Sequence, residues 1–139
     1  MEYKRFSDTI MVRLDPGEEI LEQLADVAKR EHVSLAQVSG LGAVNDFIVG
    51  VLDLAQKQFK PNHFQGAYEV TSLQGSITAK DGVPYLHLHM SAADEMGQVV
   101  GGHLNRAVIS VTGEIFLRVI EGTVNRKFSE DVGINIFSF

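Results

Sequence analysis

Between Tyr68 and Asp94 two alternating runs, "YEVTSLQGSITAK" and "VPYLHLHMSAAD", flank the pair Asp81-Gly82. Asp-Gly suits the positive φ angles of a tight two-residue turn, so this stretch reads as a long antiparallel hairpin. A hairpin commits both runs to a sheet whose side chains alternate between two faces. The rest of the chain must be read as what surrounds that sheet.

Most of it is more strand. Residues 3 to 14 read as one strand, with Ile10, Val12 and Leu14 on one face and Met11 and Arg13 on the other. "SLAQVSGLGAVNDFIVGVLDL" is rich in small and β-branched residues; it reads as two strands bending around Gly40 and Gly42, with Asn45-Asp46 near the turn. "AQKQFKPNHFQGA" is polar, contains Pro61 and reads as a loop. "AVISVTGEIFLRVIEG", "TVNRKFS" and "GINIFSF" are again strand-like.

One helix interrupts them, "DPGEEILEQLADVAKREHV". Asp15 is suited to the N-cap, Pro16 to the first helical position, and Glu18 and Glu19 to the positive dipole end. Ile20, Leu21, Leu24, Val27 and Ala28 recur at helical spacing and form one apolar face, and Lys29 and Arg30 close the last turn. The expected fold class is α+β, a central, largely antiparallel β-sheet with one main helix packed on it. No repeat, low-complexity tract or linker divides the chain, so residues 1–139 are expected to form a single domain.

Several classes of function are disfavoured at once. The longest apolar runs, such as Phe47 to Leu52, are far too short to span a bilayer, and the start lacks an apolar signal core, which makes the cytoplasm the expected compartment. Cysteine is absent, so any metal must be held by nitrogen and oxygen. The net charge is −6 and the twelve basic residues are scattered, where a duplex-binding protein gathers them on one face.

The chemistry concentrates in "PYLHLHMSAADEMGQVVGGH", which holds three of the five histidines. On a strand His87 and His89 project to the same face, while Leu86, Leu88 and Met90 point to the other. His103 follows Gly101 and Gly102, which free the backbone to turn sharply and approach closely, returning a third imidazole over the strand. Three neutral nitrogens suit zinc, or less selectively nickel, cobalt, copper or iron, with a fourth position for water or an external ligand. The bland alternative is that His87 and His89 lie on a solvated face and His103 in a surface loop. His32 at a helix end and His63 in the polar stretch take no assigned role.

Of the carboxylates, Asp94, Glu95 and Glu114 are candidates for outer-sphere partners or general bases, against the alternative that they are simply solvated or ion-paired. Glu69 sits on a strand with its face undetermined. "SGLGAV" offers G-x-G without the third glycine or the strand-to-helix setting of a dinucleotide site, and no G-x-S-x-G or G-K-[ST] motif occurs.

Taken in order, "SGLGAV", "YEVTSLQGSI", "DGVPYLHLHMSAAD", "GGHL" and "TGEIFL" resemble the Plants and Prokaryotes Conserved (PPC) domain family over nearly the whole chain. The resemblance implies a homotrimer around an antiparallel sheet. It also implies that prokaryotic members bind a metal, commonly zinc, through histidines matching His87, His89 and His103. Plant members append an AT-hook, a basic R-G-R-P element that this chain lacks. They also carry a Gly-Arg-Phe-Glu-Ile-Leu-like partner-contact segment, matched here by "GAYEVT" with Ala67 in place of the arginine.

Three functional readings follow. The first is a trimeric metal-binding domain that recognises a partner protein or small ligand. The second is a metal-dependent hydrolase or lyase in which a bound water is activated and Glu114 moves a proton. The third, a DNA-binding regulator, rests on the family label and runs against the charge.

Overall fold

The structure is a computed structural model that describes residues 1–139. It is largely antiparallel sheet with one helix, as the alternation and the Asp81-Gly82 turn require. Strands β1 (Glu2–Phe6) and β2 (Thr9–Leu14) form a hairpin, with Ser7 at φ 57° in the turn. The single strand expected from 3 to 14 is therefore two. Only the second half carries the alternation of buried and exposed residues, with Ile10, Val12 and Leu14 buried.

The helix α1 (Ile20–Arg30) begins later than expected. Glu19, not Asp15, is the N-cap, and its carboxylate accepts the Glu22 N–H at 2.7 Å. The reason is a tether: Gly17 N–H donates to the Ile109 carbonyl, and Ile109 N–H to that of Glu18, fixing this segment to the sheet. Asp15 instead accepts from Arg13 Nε and from the N-terminal ammonium. Ile20, Leu24, Val27 and Ala28 are buried as the apolar face predicts, against β5 and β6. Ile20, Leu24 and Val27 each contribute roughly 1.5–3 kcal/mol of burial before ordering costs, so packing rather than propensity holds the helix.

Four long strands make the body: β3 (Ala36–Asp53), β4 (Gln58–Lys80), β5 (Val83–Ala93) and β6 (Val99–Val119). β3 runs unbroken where two strands were expected. Gly40, Gly42, Val44 and Asp46 mark register shifts, not turns. Gly42 is there for close approach, since a Cβ would stand 2.4 Å from the Thr112 carbonyl oxygen. The expected polar loop shrinks to a tight turn before Gln58, and the rest of it pairs with β3. Pro61 is tolerated because β4 has no second neighbour there. Asp81 and Gly82 adopt φ of 52° and 80°, completing the predicted hairpin.

β3 pairs with both β4 and β6, and β5 pairs with both β4 and β6, so the four strands form a closed circuit of antiparallel pairings. One side of this sheet carries the core around Phe47, which stacks on Phe64 and meets Tyr68 edge-on. The chain ends in a second hairpin, β7 (Asn125–Ser129) and β8 (Ile134–Ser138), joined to β4 by one bridge between Ala79 and Asn125. No helix is long and apolar enough to cross a membrane.

Candidate metal centre

One cross-strand row creates the site. Gln74 on β4 faces His89 on β5, His89 faces His103 on β6, and His103 faces Gly50 on β3. Directly opposed residues point to the same side of a sheet, here the side away from the core. His87 is two residues before His89 on that side, opposite Ser76. The three imidazoles converge with ring centroids 5.0 to 5.5 Å apart. One ligand atom from each lies within 4.8 Å of the others.

The glycines place His103 differently from the sequence reading. Gly101 and Gly102 do not make a turn; they lie inside β6. Their role is approach: a Cβ on Gly102 would stand 2.4 Å from the Gly50 carbonyl oxygen, and one on Gly101 2.6 Å from that of Met90. The strands can close around this row only without those side chains.

Burial and mutual repulsion keep His87 and His103 uncharged. Desolvation first, then the neighbouring His103, Arg126 and His89, pushes His87 down to about 4. Burial, then His89, lowers His103 as well. Both rings are neutral at physiological pH, the form that ligates metal. No protein group is hydrogen-bonded to any of the three rings, and no buried polar side-chain atom in the chain lacks a partner. The donor set fits a divalent transition metal: nitrogens about 2.0–2.1 Å from a tetrahedral zinc stand about 3.3 Å apart, which small χ adjustments supply.

A pocket of about 560 Å³ opens beside the imidazoles, within the usual size of small-molecule sites. Its apolar wall comes from Val51, Leu52, Phe59 and Ile134, with the Phe59 ring 5.7 Å from that of His103. Its polar groups beyond the histidines are Tyr85, Asn105 and Asn135. Asn105 points there because a register shift between Ile48 and Val49 leaves it unpaired on β6, a bulge of the kind that re-aims side chains near sites. A different, shallower hollow near Glu2 and Phe116 lies away from all of this chemistry.

The carboxylates singled out in the sequence lie elsewhere. Glu114 is on the far stretch of β6, exposed and opposite Arg13 and Leu41, eleven residues from His103 and so roughly 35 Å along the strand. It cannot move a proton at the histidines. Asp94 caps its own turn by accepting the Met96 and Gln98 N–H groups, Glu95 is exposed in that turn, and Glu69 is exposed on β4. No carboxylate lines the pocket. His63 meets Asp46, which also binds Arg106 at 2.6 Å, and His32 follows the helix C-cap Glu31 with φ 52°.

Tyr85 was readable, since it precedes His87 by two residues on one strand. Asn105 depended on a bulge, and Ile134 and Asn135 arrive on a hairpin whose docking no local pattern announces.

A curled antiparallel sheet, one packed helix and a converging trio of histidines of a kind that could hold a metal ion define a small β-rich domain. A model of the Plants and Prokaryotes Conserved (PCC) domain matches residues 1–121, and the chain belongs to that family. A protein of Ralstonia eutropha JMP134 with a provisional DNA-binding description superposes with TM-score 0.92 at 27% identity, over 99% of this chain and 95% of its own. A metal-containing protein of Archaeoglobus fulgidus superposes at 0.88 with 25% identity, over 99% and 97%. In sequence, 107 residues are 35% identical to the bifunctional protein GlmU of Synechococcus sp. strain JA-2-3B'a(2-13), covering 76% of this chain. That match spans only 16% of the much longer relative.

Proposed function

We propose that this chain is a metal-binding domain, with zinc its ion, that assembles as a homotrimer and recognises a small ligand or partner at the metal pocket. The observation that carries the reading is the convergence of three imidazoles, one ligand atom of each within 4.8 Å of the others, beside a 560 Å³ pocket. His87, His89 and His103 would hold the ion, and Gly101 and Gly102 would support the site by letting β6 close on its neighbours. The metal-containing relative from Archaeoglobus supports the same assignment.

A bound zinc with an open position could activate water. The pocket offers no carboxylate to take the proton, which weighs recognition above hydrolysis or elimination. Duplex binding is weighed down by the net charge of −6 and by the pairing of half the twelve cations: Arg5, Arg13, Arg30, Lys60, Lys80 and Arg106 each meet a carboxylate.

Elemental analysis of protein prepared without chelator, beside the triple alanine variant of His87, His89 and His103, tests the reading. About one zinc per chain in the parent and none in the folded variant is the expected result. Equal metal content in the two would refute it. Light scattering at low micromolar concentration tests the trimer, and a monomer would overturn that part.

A further inference from the structure

The C-terminal hairpin brings an unusual charge to the back of this pocket. Arg126 is only 9% exposed. Its Nε donates to Thr78 Oγ1 at 2.8 Å, Nη1 to the Asn135 carbonyl at 3.0 Å, and Nη2 reaches Ser76 Oγ at 3.5 Å. The guanidinium lies between the rings of Tyr85 and Phe137, its Cζ 4.6 Å from each centroid. Every one of these partners is neutral. Buried arginines are normally paired with an anion, because the lost hydration is otherwise uncompensated.

The charge also sits where a ligand would feel it. Ser76 is the cross-strand partner of His87, and Tyr85 and Asn135 both line the pocket. Asn135 Nδ2 in turn reaches Tyr85 Oη at 3.4 Å, so Arg126 holds both wall residues in place. The turn of the hairpin meets the β3–β4 tip, where Lys57 Nζ donates to the Glu130 carbonyl. Nothing in the wall offsets the arginine, and a divalent ion on three neutral imidazoles would add to the excess of positive charge.

We infer that the pocket takes a small carboxylate-bearing molecule, its carboxylate on the open metal position, with Arg126 as the positioning residue that supplies the buried counter-charge and orders Asn135 and Tyr85. This rests on the metal reading above. The remainder of the ligand lies against Phe59, Leu52 and Ile134, and the Asn105 and Asn135 amides give direction. A phosphate, with more charge and more oxygens to satisfy, calls for cationic side chains in the wall itself, and the wall has none.

The test uses protein loaded with cobalt(II), whose visible spectrum reports the coordination sphere, titrated with benzoate, its neutral isostere benzamide, and inorganic phosphate. Benzoate is expected to shift the spectrum saturably and to bind at least about tenfold more tightly than either competitor. Arg126→Met should bring benzoate down toward benzamide while benzamide changes by less than about twofold, and Arg126→Lys should restore part of the difference. Equal affinity for benzoate and benzamide in the parent protein overturns the inference, and that comparison needs no variant to fold. A preference for phosphate overturns it too, as does equal weakening of benzoate and benzamide by Arg126→Met, the mark of a purely structural role. Failure of cobalt to bind at all would refute the metal reading itself, and this one with it.

Discussion

His89 and His103 stand directly opposite one another across the β5–β6 pairing, with ring centroids 5.5 Å apart and His87 completing the triangle from two residues up the same strand. The triangle is built from backbone register, so the sheet rather than any loop sets the distances. Removing one corner should leave the frame standing.

His89→Ala is accordingly expected to fold and to lose metal. Losing a direct ligand should weaken zinc binding by more than the roughly 10–100-fold typical of outer-shell changes. His89 is exposed, so its truncation opens no core cavity. Zinc content and the far-ultraviolet dichroism of the same sample check both halves. Full occupancy would remove His89 from the site.

The metal-free protein should lose stability on acidification. His87 titrates at about 4 when folded against an ordinary 6.5, and His103 is lowered too. Between those values the unfolded chain binds the proton more readily, so stability is present above about 6.5 and falls as pH drops toward 4. Zinc-loaded protein should fall more steeply in the same window, because protonation also ejects the ion. Melting temperatures across pH 4 to 7, with and without zinc, give the comparison; a metal-free protein indifferent to pH would contradict it.

Gly102→Ala should be costly although the change is one methyl group. The new Cβ would meet the Gly50 carbonyl oxygen at 2.4 Å, and backbone must move to admit it. We expect a loss of about 2–3 kcal/mol, roughly 10 °C in Tm, together with weaker zinc binding as β6 is pushed from β3. A neutral result in thermal unfolding would show that the row has slack.

Asp46→Asn should matter little. Its partners His63 and Arg106 are respectively 52% and 43% exposed, and pairs this open contribute about 0–1 kcal/mol. Denaturant midpoints within that range are expected; a larger loss would assign this cluster a role that exposure does not suggest.

Much of this architecture could be read from local chemistry. The Asp81-Gly82 turn, the helix face from Ile20 to Ala28 and the projection of His87 beside His89 each follow from a period or a turn rule acting over a few residues. What escaped the sequence depended on distant partners. The helix start moved to Glu19 because Gly17 and Glu18 are tied to Ile109, and the Pro61 segment became strand because β3 offered it an edge. Gly101 and Gly102 suggested a bend when read alone; beside Gly50 and Met90 they are contact points. Glu114 lost its candidacy for the same reason, since distance along a strand is invisible until the strand's length is known.

The circuit of four strands is unevenly sewn. β3 is paired along nearly its whole length with both neighbours, whereas β5 and β6 share only the five pairs from His89–His103 to Ala93–Val99. Such a short seam is the natural place for local opening, so its amides should exchange with solvent before those of β3. The imidazoles straddle its end, His87 and His89 on one lip and His103 on the other. An ion held by all three would act as a rivet on the least secured join of the sheet, and its residence time and the slow breathing of that seam would be one and the same process.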